Sequence, residues 1–512
     1  MHRMSSAAVC ATLLLLLASQ LPVHAQDGLQ KVNHIIIVMQ ENHSFDNYFG
    51  VLGYGPDSPY HRGHGACEPE DHRCVDGLHC LRTAKGLTCV NSNLDDNGST
   101  VAAFHEPSRC ARPDLDHSWL GTHREANFNA PNRTLPFFLA DGFVLVNDAT
   151  EQLDNGVESP KDDSTLGYYD QTDLPFYYAL ANDFAISDRY FSSVLGPTFP
   201  NRSYLVAATS FGHLTTADTF PPPGGYKPIT GTIFDLLNAA HVSWADYFQD
   251  APQSADFLPP NPHWAPLSAF LVQAEGQPGA PPLPAVSFVD PDFGLGGPAL
   301  ENDEHPPTDI QRGQAFVSQV VNAVRSGPFW KDSVIFITYD EHGGFYDHAR
   351  SPRARQGGAL TPDGINPGQC EDLSNPPAST QPGGGTECSF NFLSSTDTSV
   401  RDAEALCPAL ALDPTGPYPA ECANFDQLGI RVPFLVVSPF AKRHYVSHIV
   451  GDHTSMLAFI ERRFLTFNGT TLHLTLRDAH ANPLEDMFDF DDSPSLNTPV
   501  GNALPPIDDC TP

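Results

Sequence analysis

Two stretches of the sequence place oxygen-donor side chains directly after an apolar run. The run HIIIVMQ leads to Glu41 and Asn42, and the run SVIFITY leads to Asp340 and Glu341. Ligands of open α/β sheets bind at the carboxyl ends of strands, so these four side chains are expected to converge. Three carboxylates and a carboxamide suit one divalent cation such as Mg²⁺, Ca²⁺ or Mn²⁺, and they do not exclude Zn²⁺. Without a cation, carboxylates a few ångströms apart would repel one another.

Each pair taken alone is more typical of a capped, solvated turn. The matching position of both pairs, each at the end of an apolar run, is what indicates a shared metal site.

A threonine in the segment GPTFPNRSYL could supply a reactive hydroxyl. Pro197 and Pro200 stiffen a turn, and a helix is predicted to begin near Asn201, just after Thr198. The free N–H groups and the partial positive charge of a helix N-terminus attract phosphate. A nearby cation could deprotonate the Thr198 hydroxyl. The local sequence alone favours a plainer role, in which Thr198 only caps the helix.

Several histidines lie close to these and other motifs. The chain has 22 histidines, and most must be surface or packing residues because a lone histidine usually has a structural role. The candidates are His105, His117, His305, His342, His348 and His453.

The elements that would position these residues alternate between strands and helices. Continuous apolar runs, typical of strands in a parallel sheet covered on both faces, occur at 34–39, 143–149, 285–289, 333–339 and 432–438. Helical patterns lie between them: one is capped by Thr230 or Thr232, and one runs from Asp309 to about Gly327. The last is DHTSMLAFIERRF. This alternation predicts an α/β fold with a layered sheet.

The composition and the N-terminus indicate an exported protein that does not bind nucleic acid. The formal charge is -34, so the surface repels nucleic acid and strongly anionic membranes at long range. Residues 1–25 have a basic start, a short apolar stretch and a small-residue exit, which predicts a signal peptide. The apolar stretch is too short for a membrane anchor. The predicted location is secreted, either extracellular or periplasmic.

Two regions, about 60–110 and about 350–425, interrupt the pattern and are predicted to be insertions stapled by disulfides. The first holds five cysteines and the second holds four. Because five is odd, full pairing needs a bridge to elsewhere, and Cys510 is a natural partner, although the sequence does not fix the pairing. A zinc cluster is the alternative for the first set, but its spacings of 7, 6 and 9 lack short Cys-x-x-Cys pairs.

The order of these motifs resembles the bacterial phosphoesterase family, which holds phospholipases C, their plant counterparts and an acid phosphatase. The motifs span roughly 30–465 and read HIIIVMQENHSFDNYFG, GPTFPNRSYL, NDEHPPTDIQRGQ, TYDEHGGFYDH, and VPFLVVSPF with GDHTSMLAFIERRF. The resemblance implies an α/β fold similar to alkaline phosphatase, with a large mixed, mainly parallel sheet and helices on both faces. The catalytic domain would be 26–482, followed by an acidic, proline-rich tail at 483–512. The insertion at about 60–110 departs from the family pattern.

The resemblance also implies roles for the first five candidates. Glu41, Asn42, Asp340 and Glu341 match the ligands of one divalent metal ion, and Thr198 matches the nucleophile. The expected reaction is in-line attack on a phosphoric ester through a phosphothreonine intermediate.

For the histidines the resemblance is less complete. His117 and His305 match histidines that contact the phosphoryl group, and either could protonate the leaving alcohol. His342 and His453 lie in family motifs and are accessory candidates.

The motifs serve more than one substrate class. Threonine at position 198 favours a phospholipase C that acts on phospholipids, with transient contact to a membrane surface, over an acid phosphatase that acts on phosphomonoesters. Tyr168, Tyr169, Tyr177 and Tyr178 could line a pocket for a quaternary ammonium group, but such clusters are more often core. An inactive, exported Cys-rich binding protein is a third interpretation, which the retention of all four ligands and Thr198 disfavours.

Overall fold

The core of the fold is an eight-stranded mixed sheet. The computed structural model describes residues 28–63, 67–84, 86–111, 113–129, 138–155, 164–214, 216, 224–297, 299–354, 362–365, 425–506 and 510. In chain order the strands of the sheet are β1 (His34–Gln40), β2 (Ala185–Ser187), β3 (Trp244–Phe248), β4 (Trp264–Pro266), β5 (Val286–Val289), β6 (Ser333–Tyr339), β7 (Phe434–Val437) and β8 (Tyr445–Ser447). They lie in the order β4-β3-β5-β1-β6-β7-β2-β8. Five neighbouring pairs are parallel, and the two that include β7 are antiparallel.

Strands β1 and β6 lie next to each other in the middle of this sheet. Both are continuous apolar runs, and all but the first residue of β1 are buried, as a strand covered on both faces requires. They pair in parallel along their whole length, and the last pair is Gln40 with Tyr339. The next residues, Glu41 and Asp340, therefore leave the sheet side by side.

The helices pack around this sheet. In chain order those of the described residues are α1 (Phe45–Phe49), α2 (Trp119–Ala126), α3 (Phe143–Asn155), α4 (Pro175–Asp183), α5 (Thr198–Ala207), α6 (Ile233–Ala239), α7 (Leu267–Ala274), α8 (Ile310–Ser326), α9 (His453–Phe464) and α10 (Leu476–His480). The predicted start of α6 is confirmed for Thr232, whose side chain accepts from the Asp235 N–H. The start of α8 after Asp309 is confirmed as well.

The predicted strand at 143–149 is wrong, because this segment forms the start of helix α3. Phe143, Val144, Asn147 and Asp148 are buried, whereas the residues between and after them are partly or fully exposed. Burial thus recurs with the period of a helix rather than of a strand. A run of four apolar residues is too short to distinguish the two patterns.

The insertion at about 60–110 consists of short strand pairs held by disulfides. The structure pairs Cys67 with Cys74, Cys80 with Cys89, and Cys110 with Cys510. The expected bridge to Cys510 is confirmed, and the zinc alternative for this set is wrong because all five thiols are oxidised. The short paired segments, including those outside the insertion, are His61–Arg62 with Cys74–Val75, Cys80–Thr83 with Gly86–Cys89, Ser92–Leu94 with Thr100–Ala102, Phe104–His105 with Gly167–Tyr168, Cys110–Ala111 with Thr308–Asp309, and Thr466–Phe467 with Thr470–Thr471.

Two other predictions fall on residues that the structure does not describe. The signal peptide at 1–25 and the cysteines at 370, 388, 407 and 422 lie outside the described residues. Within the described part of the chain, no helix has both the length and the apolar character needed to cross a bilayer.

Candidate active site

The ends of β1 and β6 bring the four candidate ligands together. Glu41, Asn42, Asp340 and Glu341 are all buried. One carboxylate oxygen of Asp340 accepts hydrogen bonds from the Asn42 N–H at 3.2 Å and from the Glu341 N–H at 2.7 Å. The predicted convergence of the two strand ends is therefore present.

Position 343 requires a glycine because the chain after β6 passes close to the chain after β1 there. Gly343 has a φ of +64°, and a Cβ there would lie 2.3 Å from the carbonyl oxygen of Asn42. Asn42 itself adopts a φ of +67°, a left-handed conformation that asparagine tolerates better than most residues. This close contact fixes the direction in which the Asn42 side chain leaves the backbone.

Among the side chains of the four candidate ligands, three buried atoms lack hydrogen-bond partners in the described part of the chain. They are Oδ1 and Nδ2 of Asn42 and Oε1 of Glu341. A buried polar atom without a partner is costly, so such atoms indicate a bound group. An amide oxygen and a carboxylate oxygen are hard donors, and together with Glu41 and Asp340 they fit a divalent cation.

Arg202 joins helix α5 to the strand ends, and the sequence analysis missed it. Its Nη2 lies 3.0 Å from Oε1 of Glu41, and its Nε lies 3.2 Å from Oδ2 of Asp340. Burial and the Glu41 charge raise the pKa of Asp340, and Arg202 opposes this shift. The available signal was its spacing, because Arg202 follows Thr198 by four residues and so lies on the same helix face.

Helix α5 begins at Thr198, three residues earlier than predicted. Pro200 fits in the first turn because its missing N–H would have no helical partner there. The N-cap residue is Pro197, which provides no side-chain hydrogen bond. Thr198 is therefore not the capping residue. Its half-buried side chain lies one turn before Arg202, on the face that contacts the strand ends.

His117 and His305 lie together beside Glu341. Their ring centroids are 5.9 Å apart, and the Nε2 of His117 is 4.0 Å from Oε1 of Glu341. One oxygen of Asp114 lies 3.7 Å from the Nδ1 of His117 and 3.9 Å from the Nε2 of His305. Burial lowers the pKa of His117, but Glu341 and Asp114 outweigh it and raise that pKa to about 9. These two carboxylates therefore favour the protonated form of the His117 ring, which can donate to an anion.

His342 and His453 anchor the end of β6 through hydrogen bonds. The Nε2 of His342 lies 2.7 Å from a carboxylate oxygen of the buried Glu125. The Nε2 of His453 lies 2.7 Å from the carbonyl oxygen of Asp340, and burial lowers the pKa of His453 to about 4. Neutral His453 therefore donates to this carbonyl and fixes the backbone from which the Asp340 side chain leaves.

The other two candidate histidines form ion pairs elsewhere. His105 lies 2.8 Å from Asp173. His348 bonds Asp46 at 2.6 Å and belongs to a cluster around the buried Arg431.

The Arg431 cluster supports the chain that follows Glu341. The guanidinium contacts Asp347 at 2.9 Å and Asp46 at 3.1 Å, and it stacks over the ring of Phe45. Asp347 also accepts from the Asp46 N–H at 3.2 Å. The cluster therefore ties the segment after β6 to helix α1, which follows β1.

Glu304 anchors the loop that carries His305, and nothing in the sequence singled it out. The carboxylate is fully buried and accepts hydrogen bonds of 2.6 Å from the hydroxyls of Tyr48, Tyr177 and Tyr339. Burial raises the pKa of Glu304 to about 7 despite these donors. The tyrosines considered for an ammonium pocket, Tyr168, Tyr169, Tyr177 and Tyr178, are all buried, as core residues are, and two of them, Tyr168 and Tyr178, also line a cavity.

The same loop is tied to the metal-ligand candidates. The Glu41 N–H donates to the carbonyl of Asp303 at 2.8 Å, and the His305 N–H donates to the Asp303 side chain at 2.9 Å. The segment Asp303–His305 thus sets the distance between His305 and the end of β1.

Glu304→Gln is expected to lower the free energy of unfolding by about 2 kcal/mol and kcat by about tenfold. The amide has one acceptor oxygen where the carboxylate has two, so at least one tyrosine hydroxyl loses its partner and the His305 loop loosens. Urea unfolding and the rate of diacylglycerol release from phosphatidylcholine measure the two effects. Glu70→Gln, an exposed substitution of the same kind, is the matched control. Wild-type values for both quantities in Glu304→Gln would contradict the anchoring role.

Comparison with known proteins identifies the family. The model of the phosphoesterase family matches residues 32–466. The chain is 27% identical to non-specific phospholipase C6 of Arabidopsis thaliana, covering 93% of this chain and 75% of that protein. It is 28% identical to phospholipase C B of Mycobacterium tuberculosis, covering 97% of this chain and 85% of that one. Among solved structures, murine ectonucleotide pyrophosphatase/phosphodiesterase 5 covers 62% of this chain and 95% of its own at 11% identity, with a TM-score of 0.30.

The solved structure is too distant to support an argument about fold or site. The family match covers most of the chain, and both relatives are phospholipases C by name. The chain therefore belongs to the phosphoesterase family and is a hydrolase of phosphoric ester bonds.

Proposed function

We propose that the protein is an exported, metal-dependent phospholipase C that cleaves phospholipids into diacylglycerol and a phosphorylated headgroup. The observation that carries the proposal is the in-register pairing of β1 with β6, which sets Glu41 and Asn42 beside Asp340 and Glu341. The names of the relatives supply the substrate class. An acid phosphatase acting on phosphomonoesters would use the same side chains, so the substrate assay below includes one.

The four strand-end side chains would hold one divalent cation. Bound there, it would supply Lewis-acid stabilisation of negative charge on oxygen. Hard oxygen donors suit Mg²⁺, Ca²⁺ or Mn²⁺ and also allow Zn²⁺. The unpaired oxygens of Asn42 and Glu341 support this assignment because their burial needs a partner.

Thr198 is the proposed nucleophile. Its Oγ1 would form a bond to phosphorus while the bond from phosphorus to the diacylglycerol oxygen breaks. The partial positive charge at the N-terminus of α5 would stabilise the charge on the phosphoryl oxygens. His117 or His305 would give a proton to the leaving oxygen. Water would then hydrolyse the phosphothreonine and release the phosphorylated headgroup.

Export and the remaining architecture belong to the same proposal. Three disulfides, one of which joins Cys110 to Cys510, suit an oxidising compartment such as the periplasm or the cell exterior. A signal peptide at 1–25, a catalytic domain at 26–482 and a tail at 483–512 fit this location. The proposed arrangement of the domain is alkaline-phosphatase-like, with helices on both faces of the sheet.

Chelation is expected to lower phosphatidylcholine hydrolysis at least about 100-fold, because the strand-end carboxylates alone cannot stabilise a developing negative charge. Diacylglycerol release is measured with and without EDTA, followed by addition of Mg²⁺, Ca²⁺, Mn²⁺ or Zn²⁺ in turn. Recovery with one of these ions is expected in the wild type but not in Asn42→Ala.

A parallel assay with p-nitrophenyl phosphate separates the rival functions. Nitrophenol release without diacylglycerol would favour the acid phosphatase. Silence on both substrates with every ion would favour the binding protein. Full activity in EDTA would contradict the metal dependence.

A further inference from the structure

An exposed apolar loop lies at the edge of the candidate active site. We call residues 291–297 and 299–301 the leucine loop; it follows β5. At its start, the ring of Phe293 packs against the guanidinium of Arg202, 5.1 Å from ring centroid to Cζ. Just after its end, the carbonyl of Asn302 accepts from the Gln40 side chain at 3.0 Å. Both ends of the loop therefore contact residues that adjoin or bind the metal-ligand candidates.

Several hydrogen bonds join the described residues of the loop to one another and to Asp250. Gly297 N–H donates to the Gly294 carbonyl at 2.8 Å, and Leu300 N–H donates to the Gly297 carbonyl at 3.0 Å. The Leu295 N–H donates to Asp250 at 3.0 Å. Gly294 and Gly297 have φ values of +75° and +118°, which only glycine adopts readily in such turns.

This ordered loop leaves two leucine side chains in solvent. Leu295 is 60% exposed and Leu300 is 61% exposed. The Cδ1 of Leu300 lies 3.4 Å from the position of a Cβ at Gly296, so the two leucines stand on the same tip of the loop. A single exposed leucine needs no explanation, but two on a rigid tip beside a catalytic site mark a contact surface.

The charges around the tip identify what it contacts. Asp250 and Asp292 accept from the N–H groups of Leu295 and Gly294, the side chain of Glu301 lies near Gly294, and Arg312 donates to the carbonyl of Ala299. The balance is acidic, as is the whole chain. A bilayer of phosphatidylcholine presents cationic trimethylammonium groups outermost and hydrocarbon beneath them. Acidic groups around an apolar tip complement that order, whereas an anionic lipid surface would repel them.

We propose that the leucine loop binds the surface of zwitterionic phospholipid and holds the opening of the active site against it. The proposal rests on the proposed phospholipase C function. Held there, the active site could receive the phosphate of a lipid while the acyl chains of that lipid stay in the bilayer.

The test uses full-length protein with vesicles and with monomeric lipid. In Leu295→Ser/Leu300→Ser, binding to phosphatidylcholine vesicles and the rate of vesicle hydrolysis are expected to fall at least about tenfold, since two apolar side chains are lost from the interface. The rate on monomeric dihexanoyl-phosphatidylcholine stays within about twofold. Leu81→Ser is the matched control, because Leu81 is 69% exposed on the Cys-rich insertion.

A second variant reports contact directly and does not depend on loss of function. Leu295→Trp is expected to shift its tryptophan emission to the blue on phosphatidylcholine vesicles but not on phosphatidylglycerol vesicles, because indole favours the lipid–water interface.

The outcomes separate the two proposals. Unchanged vesicle binding in the double variant, equal loss in Leu81→Ser, or equal binding to both lipids would overturn the role of the leucine loop. Loop-dependent vesicle binding without hydrolysis of either lipid form would overturn the phospholipase function but not the lipid-binding role of the leucine loop.

Discussion

Thr198→Ala is expected to lower kcat on phosphatidylcholine by about 10³-fold or more, because it removes the only atom of that side chain that can attack phosphorus. The fold should tolerate the change. Pro197, not Thr198, is the N-cap residue, and the half-buried Thr198 side chain is not part of the core. The free energy of unfolding is expected to change by less than about 0.5 kcal/mol.

Thr198→Ser is the matched control for this prediction. It keeps the hydroxyl and should retain activity within about tenfold of the wild type. Rapid acid quenching of the wild type during turnover of phosphatidylcholine should yield the phosphorylcholine ester of threonine in the peptide that contains residue 198. Wild-type turnover in Thr198→Ala, or a trapped phosphoryl group on another residue, would rule out the nucleophile assignment.

The strand ends could be predicted because their information is local. Continuous apolar runs mark β1 and β6 as buried parallel strands, and their polar ends then have to meet at one edge of the sheet. Helix α8 could also be predicted from local signals, because Asp309 and Gly327 mark its two ends. The strand prediction at 143–149 was wrong because the buried positions of this segment follow a helical period. A run of four apolar residues is too short to reveal that period.

The partners of Arg202 and Glu304 could not be predicted because they are distant in sequence, although the spacing of Arg202 from Thr198 places the two on one helix face. Arg202 bonds Asp340, which is 138 residues away. Glu304 accepts from Tyr48, which is 256 residues away. Only the three-dimensional fold shows that each buried charge has a partner, and a buried charge without one would be too costly to keep. The supporting residues of a site are therefore harder to find from sequence than its reactive ones.

Arg431→Met is expected to lower the free energy of unfolding by about 3–5 kcal/mol, because it leaves the buried carboxylate of Asp347 without its counter-charge and leaves Asp46 with only His348 as a partner among the described residues. Neither the Asp46 carboxylate nor that of Asp347 is exposed to solvent. Urea unfolding measures the loss. Arg353→Met is the matched control: its ion pair with Asp426 is half-exposed, so the expected loss is below about 1 kcal/mol.

The sign of the pH effect tests the cause of this loss. Burial already raises the pKa of Asp347, and Arg431 opposes that shift. Without the guanidinium the folded-state pKa rises further above the unfolded value. Such a group favours folding at low pH, and that contribution is lost as pH rises through the folded pKa. The deficit of Arg431→Met relative to the wild type should therefore shrink from pH 7 to pH 5, and Asp347→Asn in the same chain should recover part of it.

The same variant connects stability to catalysis. Asp347 lies six residues after Glu341 and bonds the backbone of helix α1, so the Arg431 cluster holds both strand ends from the side away from the sheet. Thr198→Ala should abolish turnover in a stable protein, whereas Arg431→Met should lose stability and turnover together. A loss of 3–5 kcal/mol with full activity in the remaining folded protein would show that the register of β1 and β6 alone is enough to position the ligands.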